Sequence, residues 1–513
     1  MIGLVSVIVF SVIVSFILVV PVFKILFGKR RQGMGRIISM VALFLVLFSY
    51  MVKSFFTVFM SVLPFVVVAL LLGGYMSVKH IRKITAEKKF EKMFNVFLIM
   101  FFIFYFVIMV FGKAWIGVPV SGLANAELTE KIDYSTEYNN LRLVPPVLAG
   151  ALSRTKNTQS DSHVGDKDIY YDPVEMRLKW ISVLEPDNVI IGLSRTSPGF
   201  IDGYAGGTLN PSVDFVEKEL LYTEERPLIY NIYTQVWLKD ATHEYGDALL
   251  IKREDEYLWL VPLMRNYYGI VMTYDGVATV NAMTGDTVIY ALNDIPEWLG
   301  KWKIYPQEVA SWRVSVYSLF KGGVVNAFVF KKDIDEIPYG TEPYLINIEN
   351  DAYWFVSVEP AGGQEKSALS GYYLIGANGN NAGKTIFVNK KQNNFIGPTI
   401  ANNYVEAKIS NYEGWRAMQP LLYPYMGKDT WVVPILYTGG ELSGMKLVGV
   451  GFVDTDTEKV TIQKAENEVA GADSTAPASG SDELIAEYRK YRDEISERLE
   501  KIDEIVDALS DAS

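Results

Sequence analysis

The chain has 513 residues, 50% of them hydrophobic, and a formal net charge of −11. Its mean hydropathy of +0.15 is high for an ordinary globular chain, and the acidic balance excludes a polycationic face for nucleic acid. The absence of cysteine excludes disulfides, metal–thiolate sites and cysteine nucleophiles, so a large folded region has to hold itself together by core burial.

The apolar excess lies ahead of Lys113. Residues 2–27, 37–52, 54–76 and 93–111 are runs of Val, Ile, Leu and Phe without an acidic residue. At 1.5 Å per residue such runs match a hydrocarbon layer of about 30 Å, and they predict an α-helical membrane domain of four spans over residues 1–112. Lys29, Arg30, Arg31 and Arg36 follow the first span. Lys79, Arg82, Lys83, Lys88, Lys89 and Lys92 follow the third, against only Lys53 between the second and third. The positive-inside rule then places both basic loops in the cytoplasm, with the N-terminus and residues 113–464 outside. The expected localisation is a four-pass membrane protein of a prokaryotic cell envelope, with the lipid bilayer as one partner. No ionisable residue sits centrally in these runs, so the spans read as an anchor.

Beyond Lys113 the pattern changes. Leu141–Asn157 predicts a helix with a Pro145-Pro146 start, and Pro306–Leu319 predicts a second with a proline near its start. From Ile169 onward, short runs of Tyr, Val, Ile and Trp bounded by Gly, Pro, Asn and Asp read as strands. A tryptophan opens the same phrase four times, at Trp180-Ile-Ser-Val, Trp259-Leu-Val-Pro, Trp354-Phe-Val-Ser and Trp431-Val-Val-Pro. A glycine and an apolar segment follow each, at Gly199, Gly276, Gly371 and Gly444. Self-similarity at intervals of roughly 80–95 residues signals tandem units, each too small to bury its apolar face alone. The expected region 113–464 is therefore α+β, with repeated antiparallel sheets. Residues 465–481 read as a flexible Ala/Gly/Ser/Pro linker. Residues 482–513 are expected to form an amphipathic helix, since Tyr488, Tyr491, Ile495, Ile502, Ile505 and Leu509 have coiled-coil spacing, which points to homo-oligomerisation.

The turn Val280-Asn-Ala-Met-Thr-Gly285-Asp-Thr-Val288, placed after a Trp-containing strand, resembles the strand–turn–strand ending of PepSY-type repeats. Val453–Val460 matches less well, with Glu458 where the glycine belongs. The resemblance implies small helix-plus-antiparallel-sheet modules, typically extracytoplasmic. It also implies a role in peptidase inhibition or in regulating envelope enzymes, with neither catalytic residues nor a cofactor.

Chemistry-bearing motifs are sparse. Of three histidines, His243 with Asp240 and Glu244 makes the sole cluster, and the group reads as a solvated loop. The glycine-rich stretch 376–385 lacks the spacing and following helix of a phosphate loop, and Asp454, Asp456 and Glu458 lack the glycine of a calcium loop. No catalytic, cofactor-binding or metal-binding residue is assigned. Trp180, Trp259, Tyr267, Tyr268, Trp354, Tyr372, Tyr373 and Trp431 form the candidate binding surface, although recurrence in every unit also suits core residues. The expected function is a non-enzymatic binding or scaffolding protein at the cell surface that engages a protein or peptide partner. One alternative is an envelope glycan or peptide hydrolase, which a perturbed carboxylate pair in an inter-unit cleft would favour. The other is a component of a secretion or DNA-transfer apparatus. If the C-terminal helix sets assembly, light scattering should give a defined oligomer for the full chain and a monomer for one ending at residue 481.

Overall fold

The computed structural model describes residues 110–465, apart from short breaks at 131, 133–135, 268–269, 362–367, 391–394 and 440–443. A short strand β1 (Glu127–Thr129) precedes four units, each a helix followed by five strands. Unit one comprises α1 (Pro146–Lys156), β2 (Ser162–Val164), β3 (Asp168–Asp172), β4 (Arg177–Pro186), β5 (Ser197–Tyr204) and β6 (Val213–Leu220). Unit two comprises α2 (Ile232–Lys239), β7 (Glu244–Tyr245), β8 (Leu249–Arg253), β9 (Glu256–Tyr267), β10 (Val271–Asn281) and β11 (Thr287–Ala291). Unit three comprises α3 (Gln307–Phe320), β12 (Asp335–Glu336), β13 (Tyr344–Ile348), β14 (Asp351–Pro360), β15 (Gly371–Gly376) and β16 (Thr385–Asn389). Unit four comprises α4 (Pro398–Ile409), β17 (Trp415–Ala417), β18 (Leu421–Tyr425), β19 (Lys428–Tyr437), β20 (Lys446–Asp454) and β21 (Val460–Lys464).

In every unit the tryptophan strand, β4, β9, β14 or β19, pairs with the two preceding strands along one edge and with the following strand along the other. The pairs among the five strands of each unit are antiparallel. α1 starts at Pro146 rather than Leu141, because a residue that precedes proline is kept out of the helical region; α4 likewise has Pro398 in its first turn.

These observations correct the expected fold class and localisation. The described residues are dominated by antiparallel sheet, and none of their helices is long and apolar enough to cross a membrane. The four-helix membrane domain and four-pass topology are not carried by this architecture. The runs at 2–27, 37–52 and 54–76, and nearly all of 93–111, lie outside the described residues, as do the linker beyond Ala465 and the helix at 482–513. Apolar run length reports burial without saying whether lipid or protein does the burying, and the sheets here use the same Val, Ile, Leu and Phe.

The four tryptophans are equivalent in structure as well as in sequence. Each is nearly inaccessible, and each indole N–H donates to a carbonyl in the segment ahead of its own unit's helix: Val144 at 3.0 Å, Tyr222 at 2.9 Å, Tyr305 at 2.7 Å and Ile396 at 2.9 Å. A buried small residue completes the joint. The amides of Ala205, Ala282, Ala377 and Thr455 donate to the carbonyl two residues before the tryptophan, at Leu178, Tyr257, Ala352 and Asp429. In units one to three the alanine carbonyl accepts two successive amides from the helix-leading segment: Leu143 and Val144, Leu221 and Tyr222, and Ile304 and Tyr305.

A close approach behind the sheet fixes the glycines. A methyl group on Gly199 would meet the Val216 carbonyl at 2.1 Å, and one on Gly276 the Tyr290 carbonyl at 2.1 Å. The corresponding contacts are 2.4 Å for Gly371 and 2.8 Å for Gly449. Gly276, Gly371 and Gly449 all stand opposite the fourth residue after the tryptophan, at Leu263, Val358 and Ile435. Gly449 is therefore the fourth member, and the expected Gly444 faces open space. Loop length between strands varies, so position in sequence misleads where register does not.

One apolar core runs through all four units. Buried hydroxyls stitch them together, with Tyr423 accepting the Arg142 amide at 3.2 Å and Tyr344 accepting the Leu422 amide at 2.6 Å. β1 adds itself in parallel to β16 and so fastens the chain's entry to unit three.

Replacing Trp259 by Phe keeps most of the apolar volume but orphans the Tyr222 carbonyl, which should cost about 1–3 kcal/mol. Gly276→Ala should cost a similar amount through overpacking and its φ of +149°, whereas Gly444→Ala should stay within about 0.5 kcal/mol. Denaturant unfolding of the three variants checks the order.

Candidate functional site

The register that aligns the tryptophans also aligns the mouths of the units. Ile169, Leu250, Leu345 and Leu422 are the cross-strand partners of Trp180, Trp259, Trp354 and Trp431. Three residues ahead of each stand Asp166, Asp247, Glu342 and Gln419, one polar side chain per unit at the same place. The last three line a cavity of about 240 Å³ where the units meet.

Units one and three supply its walls. The cavity is lined by Trp180 and Trp354, each with a cation over its ring: the Arg142 guanidinium 5.0 Å from the Trp180 centroid, and the Lys303 ammonium 5.9 Å from that of Trp354. Arg142 and Lys303 are themselves equivalent. Each lies two residues before the carbonyl that holds its tryptophan, and each bridges to the residue after the unit's buried alanine, Gly206 or Asn378. Pro146, Pro306, Gln307 and Glu308, at the starts of α1 and α3, complete the wall.

The electrostatics are uneven. Lys303 Nζ lies 3.8 Å from Asp168 Oδ1 at the head of β3. Burial nevertheless pushes the Asp168 carboxyl up to about 7, with Asp247 and Asp166 adding to the rise against the pull of Lys303. Burial also raises Glu308, helped by Asp247. Beneath them Glu224 is pushed well above the carboxylate range by burial and by Asp168, while Tyr233 donates to it. Arg142 is 8% exposed, and burial pulls its guanidinium down from the ordinary arginine range; it remains a cation. Its Nε has no hydrogen-bond partner, and the side chain makes no ion pair among the described residues.

The residues proposed from sequence are scattered relative to this site. Trp180 and Trp354 line the cavity, whereas Trp259, Trp431, Tyr372 and Tyr373 are buried in the core. Tyr267 is 43% exposed near the end of β9. Tyr268 lies outside the described residues, as do Tyr488, Tyr491, Ile495, Ile502, Ile505 and Leu509. His243 is buried instead of solvated, with Asp275, beside the irregularity at Gly276, facing it. Its Nδ1 is 2.9 Å from Asp240 and its Nε2 is 3.4 Å from Asp275, with Arg265 donating to Nε2 at 3.3 Å. Asp454 accepts the Asp456 and Thr457 amides at 3.0 Å each and pairs with Lys428 at 2.7 Å, so its carboxylate closes a turn. Residues 376–385 form the hairpin joining β15 to β16. Among the described residues no group of three or more His, Asp and Glu is placed to hold a metal.

Sequence reasoning missed Arg142, Asp168, Asp247, Lys303 and Glu308. A signal was present: Arg142-Leu-Val-Pro145 and Lys303-Ile-Tyr-Pro306 share a cation, two apolar residues and a proline just before a helix.

Comparison with protein-family models found no match, and comparison with curated proteins found none either. The resemblance to PepSY-type repeats therefore rests on its turn motif alone. Among solved structures the chain is similar to a mutant of the B. megaterium levansucrase, at 10% identity over 68% of this chain and 94% of that one. The TM-score is 0.20, too low to carry any argument.

Two buried carboxyls make stability depend on pH. Asp168 rises from 3.8 to about 7. Glu185, which is 1% exposed and bonded to the Thr223 hydroxyl and the Glu224 amide, rises from 4.5 to about 7. Each binds its proton more tightly folded than unfolded. The stability they contribute is therefore full below the ordinary carboxylate range and lost as pH rises through about 7. Thermal unfolding midpoints should fall by a few degrees between mildly acidic and mildly alkaline buffer, and Glu185→Gln should flatten the slope.

Proposed function

We propose that the protein is a binding module without chemistry of its own, which holds the end of a peptide or protein partner in the cavity between units one and three. The observation that carries this reading is a preformed, charged cavity walled by two indoles, contributed by separate units and built from the same positions of each. Rigid aromatic walls with a few convergent polar groups are the general form of a recognition site. The volume suits one terminal residue better than an extended strand. Selection of a displayed random peptide library against the full chain tests it. Enriched peptides should lose binding to Asp247→Trp, which plugs the mouth, by tenfold or more, and should be recovered intact. Equal binding to the plugged variant overturns the reading.

A second reading has one observation in its favour: Asp168 near 7 and Glu308 raised beside Asp247 are carboxyls suited to proton transfer at neutral pH. On that reading the cavity hydrolyses a glycosidic or peptide bond, and mass spectrometry of the incubated library or of mixed oligosaccharides should show cleavage that Asp168→Asn lowers at least a hundredfold. Intact substrates with the native chain rule it out.

A further inference from the structure

Buried cations elsewhere in the fold have partners. Lys179 is held by Asp172, Glu175 and Asp202 at 3.5, 2.6 and 3.2 Å. Lys390 is held by Asp429 at 2.6 Å, and the Arg226 guanidinium donates to the backbone carbonyls of Gly192 and Leu221. Arg142 stands apart, buried against Trp180 with an unpartnered Nε and no ion pair among the described residues, and of the carboxylates only Glu342 acts on it, from beyond ion-pair distance. An unpaired buried charge is costly, and a fold retains one where something else completes it.

The internal repeat says what is missing. Lys303, the equivalent of Arg142 in unit three, faces Asp168 of unit one. The position equivalent to Asp168 in unit three is Tyr344: Asp168 pairs with the residue after Trp180, and Tyr344 with the residue after Trp354. Tyr344 lines the cavity with Arg142, but its hydroxyl oxygen is used by the Leu422 amide. Where Lys303 meets a carboxylate, Arg142 meets a phenol already engaged. The acidic groups lining the cavity are Asp168, Asp247, Glu308 and Glu342, against the cations Arg142, Lys167 and Lys303. This lining holds more acids than bases, which favours a ligand that also carries a positive charge.

We infer that the cavity recognises a free α-carboxylate on a zwitterionic ligand, seated on Arg142 in the place that Asp168 fills for Lys303. This deepens the binding reading above and depends on it. The guanidinium fork offers two parallel N–H donors to a carboxylate, with the Trp180 face fixing its plane. The same chemistry is presented by a free amino acid and by the C-terminus of a peptide with a basic side chain.

The test uses the full chain and three probes in calorimetric titrations: the twenty free amino acids, a pool of lysine-containing tripeptides ending in a free carboxylate, and the same pool amidated. The acid pool or the amino acids should bind, with the amides weaker by about 10–100-fold, the range for loss of a charged hydrogen bond. Binding of free amino acids assigns the site to a metabolite, and binding of acid tripeptides alone assigns it to a chain end. Arg142→Met should reduce acid binding to the amide level, and Arg142→Lys should recover only part of it. Equal binding of acid and amide by the native protein overturns the inference whatever the variants do, as does the failure of every probe to bind at millimolar concentration. If acid and amide bind equally but both are lost in Asp247→Trp, the cavity still binds peptides and only the carboxylate assignment falls.

Discussion

Each unit hangs on one buried hydrogen bond, from the tryptophan indole N–H to a carbonyl in the segment that leads into the helix. The bond is buried in units one, three and four and part-buried in unit two, so losing the partner would cost about 1–3 kcal/mol. The bond also settles geometry, since it pins the helix-leading segment across the end of the tryptophan strand. In units one to three the buried alanine also receives two amides from the same segment. Helix, leader and sheet are thereby joined within the unit.

The cavity wall follows from this lock. A residue two places before the pinned carbonyl is carried onto the indole face, and in units one and three that residue is a cation. The tryptophans that hold the fold are thus also the tryptophans that shape the cavity. Trp259 and Trp431 perform the same structural task without lining it, and in unit two the corresponding position holds Leu220 in place of a cation. The cavity is an asymmetry laid over a repeated frame.

Charge placement separates the groups compensated within the fold from those that face the cavity. Lys179, Lys390 and Arg226 are surrounded by acceptors, and their burial is compensated within the fold. Arg142 and the raised carboxyls of Asp168 and Glu308 are not fully compensated, and they share one cavity. In a poorly solvated site each uncompensated charge acts over several ångströms, which makes that cavity the place where a ligand gains most from complementary charge.

The sequence alone determined the number of units, the tryptophan at the heart of each, and three of the four glycines, because those depend on short, local patterns repeated in register. It also carried the signal of Arg142-Leu-Val-Pro145 and Lys303-Ile-Tyr-Pro306, legible once the position has a meaning. It misdirected the expected membrane-helical fold class, since apolar runs record burial without naming what buries them. It misplaced the fourth glycine, since loop length shifts position where strand pairing does not. Only the tertiary structure decided the cavity. Arg142, Asp168, Asp247, Lys303 and Glu308 come from three units and converge because one core joins those units, and whether a buried charge finds a partner depends on residues far away along the chain.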